Sequence, residues 1–454
     1  MQNGTTSPRP SPQRGEGGDQ LEMLSPNRWT GFEALADAVM TPENLFHAHA
    51  RGGRNCFLTG AGGTGKSTQL RAFIAESQRR VSVTAPTGVA ALNVGGMTIH
   101  RFCGMLLGPG AGQSNEEYFS QLQRDPRPSI KAGFNRVRRC EVLVIDEISM
   151  LPGRQLEFVE FLFRRLRGRD ESFGGCQIIA TGDFLQLPPV RKSETERYDW
   201  AFQSPAWAAA EFRSFVLERV RRQDEPGFVR ALADFRVGRV VGDSARILQS
   251  RVRSNPPSSM PRLFTHNIQV DKWNGFQLSE LPGDESVLHA DQSGPEQQLE
   301  FLNRNLLTPA TLHLKPGALV SFTVNKNEPG QNEPLFVNGQ LGEVESVETD
   351  AVVVKIKTGA VIRVERFTWR YDSQDEMSAS FSQFPLRLAW AMTIHKAQGL
   401  SLDSAYLDIR AAREPGQAYV AVSRVRTLSG LFFKEWFKGV HVSPEAIEFY
   451  KEAK

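Results

Sequence analysis

Short apolar runs that end abruptly in polar residues recur along the first half of this chain. Cys56-Phe57-Leu58 leads into a glycine-rich stretch, and Val81–Ala85 leads into Pro86-Thr87-Gly88. Val142–Ile145 leads into Asp146-Glu147, and Ile178-Ile179-Ala180 into Thr181-Gly182-Asp183. Continuous apolar runs bounded by turn residues read as strands buried on both faces, as in a parallel sheet. Helical patterns lie between them, as in Arg154 to Arg167 with apolar Leu156, Val159, Phe163 and Leu166. Residues 30–215 therefore read as one α/β domain, interrupted by a small insertion over 104–133. A second α/β pattern begins near Phe215, includes Arg262-Leu263-Phe264, and resumes with Leu388 to Thr393 and Ala405 to Ile409. Between its parts, residues 315–370 carry short strand-like runs at Ala318–Val324, Gly342–Val347, Ala351–Ile356 and Val361–Val364. The pairs Asn338-Gly339 and Thr358-Gly359 punctuate them, which predicts a small antiparallel barrel inserted into the second α/β domain.

The chemistry gathers at the ends of the apolar runs, where ligands of open α/β sheets lie. Gly60-Ala61-Gly62-Gly63-Thr64-Gly65-Lys66-Ser67 fits G-x-x-x-x-G-K-[ST], with Thr68 opening the helical stretch behind it. Strand, glycine loop and helix is the context in which that pattern cradles a phosphate. The glycines let backbone N–H groups turn inward, and the helix N-terminus adds its positive dipole end. Lys66 is placed for the β- and γ-phosphates and Ser67 for Mg²⁺. Asp146 is placed to hold Mg²⁺ directly or through water, and Glu147 to orient or deprotonate the attacking water. Gln186, in Gly182-Asp183-Phe184-Leu185-Gln186-Leu187-Pro188-Pro189, is a candidate sensor of the γ-phosphate. Phosphoryl transfer also calls for arginine on the transferring group. The residues themselves offer Arg424 in Tyr419-Val420-Ala421-Val422-Ser423-Arg424, and do not choose among Arg219, Arg221 and Arg222.

Length and composition narrow the setting. At 454 residues the chain is too long for one ordinary core and suggests roughly three domains. No apolar run approaches the roughly 18 residues of a membrane span, and the opening residues lack a signal-peptide core. Rich in Pro, Gly, Ser and Arg, residues 1–28 read as a disordered tail. Cys56, Cys103, Cys140 and Cys176 are far apart in sequence, which argues against a zinc site or a disulfide framework and fits a reducing, cytoplasmic setting. The net charge of +3 is compatible with a local basic groove without requiring one.

Seven segments in order then carry a resemblance: GAGGTGKS, TAPTGVAALNVGGMTIHRF, VLVIDEISML, GDFLQLPPV, LERVRRQ, AMTIHKAQG and YVAVSR. The set resembles superfamily-one DNA helicases, and is most similar to the petite-integration-frequency (Pif) family, whose relatives include RecD-type helicases. It covers roughly residues 50–435. The resemblance implies two RecA-like P-loop domains, 29–215 and 216–314 with 385–454, plus an inserted SH3-like β subdomain at 315–384. It implies ATP in the cleft, with Arg222 the first arginine finger and Arg424 the second. It implies DNA contacts from Thr87, Gly88, Thr98 and His100 in the first domain, and from Thr393 and His395 in the second. The insertion at 104–133 corresponds to a wedge that splits the duplex. Phe102 and Trp390 lie in apolar runs and read as core before base-stacking residues. The implied activity is ATP-dependent, 5′→3′ translocation on single-stranded DNA with unwinding of forked duplex, by a monomer, in replication, recombination, repair or telomere maintenance. Such a protein works at the nucleoid of a bacterium or in the nucleus of a eukaryote. An RNA helicase on the same scaffold, or a nucleotide-gated DNA-binding ATPase without unwinding, are the alternative readings. One departure stands out: no Gln occurs between Gln20 and Gln69 to read adenine, and the region offers Asn27 and Asn44 instead.

Overall fold

A computed structural model describes residues 1, 41–106, 108–110, 112–191, 195–253, 256–257, 260–327, 334–336, 338–373, 376–437 and 439–452. The tail expected over 1–28 and Asn27 lie outside them, Met1 apart. The first sheet has six strands, all parallel: β1 (Cys56–Gly60), β2 (Val81–Ala85), β3 (Met97–Thr98), β4 (Val142–Ile145), β5 (Gln177–Gly182) and β6 (Arg213–Leu217). Their order is β3-β2-β4-β5-β1-β6. Every residue of β1, β4 and β5 is buried, because helices cover both faces. Alternation sorts the side chains. Cys56 and Leu58 pack with Phe46 and Phe73 of the helices Pro42–Arg51 and Lys66–Glu76. Phe57 points the other way, into a core shared with Leu156, Val159 and Phe163 of the helix Gly153–Arg167.

A second, four-stranded parallel sheet runs Ala391–Thr393, Arg262–Phe264, Ala405–Leu407 and Leu431–Phe433. Its core includes Leu263, Met392 and Leu407, with Phe228 and Phe235 of the helix Pro226–Arg236. Between its strands lies a five-stranded antiparallel sheet with its own core. Its order is Val361–Glu365, Ala351–Ile356, Leu341–Val347, Leu319–Phe322 and Leu386–Leu388. The first four of these are the strands that the runs of residues 315–370 predict; Leu386–Leu388 joins them from the stretch read as the second α/β domain. Phe102 and Trp390 are both core residues, 2% and 5% exposed.

Three placements differ from the sequence reading. Phe367–Ser373 and Glu376–Gln383 form a hairpin that pairs with Asp291–Ser293, not with the five-stranded sheet. That hairpin packs Phe381 and Trp369 with Leu302, beside Leu92 and Met97 of the first α/β body. The span 104–133 holds the helix Asn115–Arg124 and the start of Pro128–Arg139, and their apolar residues Tyr118, Phe119, Leu122 and Ile130 belong to the first core. Much of the expected wedge is therefore a layer of that body. Finally, the helix Pro444–Glu452, assigned by chain order to the second domain, returns to the first. Its Ala446 is wholly buried there, and Phe449 meets Phe57, Phe184, Phe202 and Trp207.

Candidate functional site

The glycine loop leaves β1 with left-handed or related backbone at Gly60 (φ +147°), Gly63 (+86°) and Gly65 (+98°). At Gly63 the space is also required: a Cβ there would lie 2.7 Å from Cβ of Arg222. Thr64 is buried and donates its hydroxyl to the Ala61 carbonyl at 2.9 Å, so its side chain braces the loop. The Lys66 ammonium donates to the carbonyls of Gly60 (2.7 Å) and Ala61 (3.2 Å). Burial lowers its pKa, and the carboxylates of Asp183, Glu147 and Asp146 pull the other way. Ser67 and Thr68 are exposed on the first turn of a helix that has no side-chain cap, so its leading N–H groups face outward for an anion.

At the end of β4, Asp146 accepts the Thr181 hydroxyl and the Glu147 N–H (3.0 Å). Burial pushes its pKa up. Glu147 sits in left-handed backbone, φ +52°, a strained conformation for a residue with a side chain. Burial and then the Asp146 charge push its carboxyl up to about 7, into the range a general base needs near neutral pH. Its Oε2 is buried with no hydrogen-bond partner. Two adjacent, desolvated carboxyls with an orphaned oxygen, lining the same cleft as Ser67, fit a hard cation. Among the described residues no cluster of three His, Cys, Asp or Glu could hold a metal alone. Mg²⁺ needs none, because it takes one or two protein oxygens plus phosphates and water.

Arg222 and Arg424 come to this cleft from the chain beyond the first sheet. Arg424 is 2% exposed, and its Nη2 would lie 3.0 Å from a Cβ on Gly62. Its hydrogen bonds go to neutral acceptors, the Val420 carbonyl (2.9 Å) and the Ser423 hydroxyl (2.8 Å). Arg222 likewise donates to Ser401 Oγ (2.8 Å) and the Ser423 carbonyl (3.0 Å). Burial, and then the Arg424 charge, lower its pKa to about 9. Neither guanidinium has a carboxylate partner among the described residues, so the pair awaits an anion. One cleft of about 680 Å³ gathers Lys66, Ser67, Thr68, Asp146, Glu147, Gln186, Arg222 and Arg424, with Thr87 and His395 on its lining.

The remaining nucleic-acid candidates are not on that lining. Thr87, Thr98 and Thr393 each cap a short helix, accepting the N–H of Ala90 (3.3 Å), Arg101 (3.4 Å) and Lys396 (3.3 Å). Gly88 is covered by Asn305, whose side chain would lie 2.0 Å from a Cβ there. His100 and His395 have pKa values lowered by burial, which favours neutral imidazoles. Asn44 is exposed on the first turn of Pro42–Arg51, next to Glu43, which pairs with Arg221 at 3.1 Å. The Arg221 N–H in turn donates to the Gly63 carbonyl at 2.8 Å.

Sequence reading missed four residues here. Asp183 is wholly buried and takes two hydrogen bonds from Arg236, at 2.7 and 3.0 Å. Burial opposes its charge, but Arg236 holds its carboxyl below the usual range. Gln186 is 3% exposed and donates to the same carboxylate at 3.3 Å. The Tyr419 hydroxyl accepts the Gly62 N–H at 2.9 Å. Tyr450 reaches the other side of the loop, bonding Thr59 at 2.6 Å. Tyr419 and Asp183 lie inside recognisable segments; Arg236 and Tyr450 carry no local signal.

A phosphate loop on one parallel sheet, completed by arginines from the chain of another, defines a two-bodied P-loop nucleoside-triphosphate motor. Comparison with known proteins narrows the class. Residues 41–233 match the family profile described as PIF1-like helicase. The chain is 35% identical over 406 residues to the ATP-dependent DNA helicase Pif1 of Bdellovibrio bacteriovorus, covering 88% of this chain and 89% of that one. It is 34% identical over 422 residues to the ATP-dependent DNA helicase PIF1 of Xenopus laevis, 91% of this chain but 64% of the longer relative. Among solved structures, Pif1 helicase from Candida albicans superposes with a TM-score of 0.69 at 34% identity, covering 92% and 99% of the two chains. Bacteroides sp Pif1 in complex with ADP-AlF4 gives 0.77 at 28% identity, covering 91% and 96%. This chain belongs to the PIF1-like helicase family.

Proposed function

We infer that the chain is an ATP-dependent DNA helicase. The observation that carries the reading is the pair Arg222, half-buried, and Arg424, buried, neither bonded to a carboxylate among the described residues, set over the Gly62–Gly63 turn of the other body. A γ-phosphate in the cleft would neutralise them and draw the two bodies together; its loss would let them part. A nucleotide that binds the two arrangements unequally drives such a cycle. Relatives supply the substrate class: one solved structure is of Bacteroides Pif1 bound to ssDNA, and another concerns DNA unwinding at forked dsDNA by two coordinating Pif1 helicases.

In this reading the loop amides of Gly60, Gly62, Gly63, Thr64 and Gly65, with Lys66 and Thr68, bind the triphosphate of ATP. Ser67 and Asp146 would hold Mg²⁺, which supplies charge neutralisation between the phosphates. Glu147 takes a proton from the attacking water, Gln186 reads the γ-phosphate, and the two arginines stabilise charge on the transferring group. The strand runs over Thr87, Gly88, Thr98, His100, Thr393 and His395, where capped helix ends and short polar groups suit a backbone track. Asn305 must leave Gly88 for that residue to touch DNA. The five-stranded sheet acts as the SH3-like subdomain that embraces the strand. Motion is 5′→3′ by a monomer, at the nucleoid or in the nucleus, in replication, recombination or repair.

Duplexes bearing a single 5′ or 3′ tail test this directly. Unwinding with ATP and Mg²⁺ from the 5′ tail alone is the expected result. Unwinding from the 3′ tail would overturn the polarity, and stimulated hydrolysis without unwinding from either tail would overturn the helicase assignment.

A further inference from the structure

We propose that the C-terminal helix is a working part of the motor, and that Tyr450 is a positioning residue that ties the phosphate loop to the Gln186 loop; this rests on reading the cleft as an ATPase site. The helix Pro444–Glu452 follows the last strand of the second sheet, Leu431–Phe433. The connection first runs along the second body: the Gly416 N–H donates to the His441 carbonyl (2.9 Å), and Val442 packs over Gly238. Ser443 then caps the helix, accepting the Ala446 N–H at 3.1 Å, and the chain crosses to the first body.

There the Tyr450 hydroxyl meets three polar groups. It lies 2.6 Å from Thr59 Oγ1, one residue before Gly60. It accepts the Phe184 N–H at 3.2 Å and donates to Asp183 Oδ1 at 3.3 Å. A phenol has one proton to donate and two lone pairs, so with Thr59 as donor every capacity is filled. Asp183 also holds Gln186, and it pairs with Arg236, whose guanidinium lies 5.1 Å from the Tyr450 ring centre. One hydroxyl thus joins the strand that launches the phosphate loop, the segment that aims Gln186, and the buried ion pair between the two bodies.

Packing alone does not call for that hydroxyl. Ala446 and Phe449 already fill the apolar seat, and a phenyl ring at 450 would complete it. The hydroxyl's partners, by contrast, are Thr59, one residue before the phosphate loop, and Asp183 and Phe184, three and two residues before Gln186. Holding those groups in register lowers the barrier without tightening the ground state.

Tyr450→Phe removes one oxygen and keeps the ring. The expected result is a fall of roughly tenfold in kcat for ATP hydrolysis stimulated by single-stranded DNA, equal to about 1.4 kcal/mol, with KM for ATP little changed. Thr59→Val should behave alike, and the double variant should fall no further than either, because both break one network. Phe158→Leu, in the same core but away from this network, serves as the packing control: it should lower the thermal midpoint and leave kcat per folded molecule unchanged. Wild-type kcat in Tyr450→Phe would overturn the proposal while leaving the ATPase reading intact, and so would additive losses in the double variant. A wild-type chain that hydrolyses no ATP would overturn that reading and the proposal with it.

Discussion

Replacing Arg424 by Ala separates two quantities that usually fall together, turnover and stability. In the fold, the Arg424 guanidinium donates, among the described residues, to the Val420 carbonyl and the Ser423 hydroxyl. Each such bond from a charged donor contributes about 1.5–3 kcal/mol. Against that loss, truncation removes a buried cation whose charge disfavours that of Arg222. The two effects oppose, so the nucleotide-free protein should change by no more than about 2 kcal/mol. In the reaction the accounting differs, because an arginine finger is worth roughly 10³–10⁵ in rate, or about 4–7 kcal/mol. Steady-state ATP hydrolysis with saturating single-stranded DNA, beside urea unfolding and fluorescence anisotropy on a labelled strand, reads all three consequences. Turnover should fall at least about a thousandfold, with unfolding and strand binding nearly unchanged. Arg424→Lys should fall between, since an ammonium keeps the charge without the planar fork. A kcat for Arg424→Ala within roughly tenfold of wild type would refute the finger assignment.

Three further outcomes are expected. With the Glu147 carboxyl pushed up to about 7, kcat/KM for ATP should rise as pH climbs through that value, because only the ionised carboxylate accepts a proton. Mg²⁺ beside Asp146 should move the limb to lower pH, and a profile flat across that window would count against Glu147 as base. Arg236→Met strands the wholly buried Asp183 carboxylate and should cost about 3–5 kcal/mol in urea unfolding at neutral pH, recovered in part by Asp183→Asn. Since Asp183 is held below its ordinary pKa, that stability is present above the unfolded carboxyl value and disappears as pH falls through the folded one. Tyr419→Phe leaves the Gly62 N–H without its acceptor in the nucleotide-free protein. The variant should lose about 1–3 kcal/mol, and a triphosphate analogue should raise its thermal midpoint more than it raises that of wild type; equal shifts would argue that the hydroxyl is not on the nucleotide's path.

What the sequence made legible was local. Four of the six strands of the first sheet, β1, β2, β4 and β5, announce themselves as largely apolar runs that end on their chemistry, so the phosphate loop and Asp146-Glu147 could be placed from neighbours alone; β3 is too short to show a run, and Phe215, read as opening the second domain, lies in β6. The short strand-like runs of residues 315–370, with turn pairs such as Thr358-Gly359 between them, likewise mark an antiparallel sheet. What escaped depends on contacts between distant residues. Asp183 and Arg236 are 53 positions apart, and Thr59 and Tyr450 are 391 apart. Periodicity shows that the last helix has an apolar face, but not which of two cores it covers. The hairpin over 367–383 mixes Trp369 and Phe381 with many polar residues, so its partner Asp291–Ser293 was invisible without the fold. The covering of Gly88 by Asn305 is of the same kind, a contact between bodies that no motif encodes.

The central claim is that the cleft hydrolyses ATP in response to a DNA strand. The most direct test measures ATP hydrolysis by the full chain with Mg²⁺, with and without an unstructured single-stranded DNA, alongside Lys66→Ala. A rate that rises on adding the strand, and is absent from Lys66→Ala, is the predicted result. A rate indifferent to DNA would contradict the motor and leave only a nucleotide site.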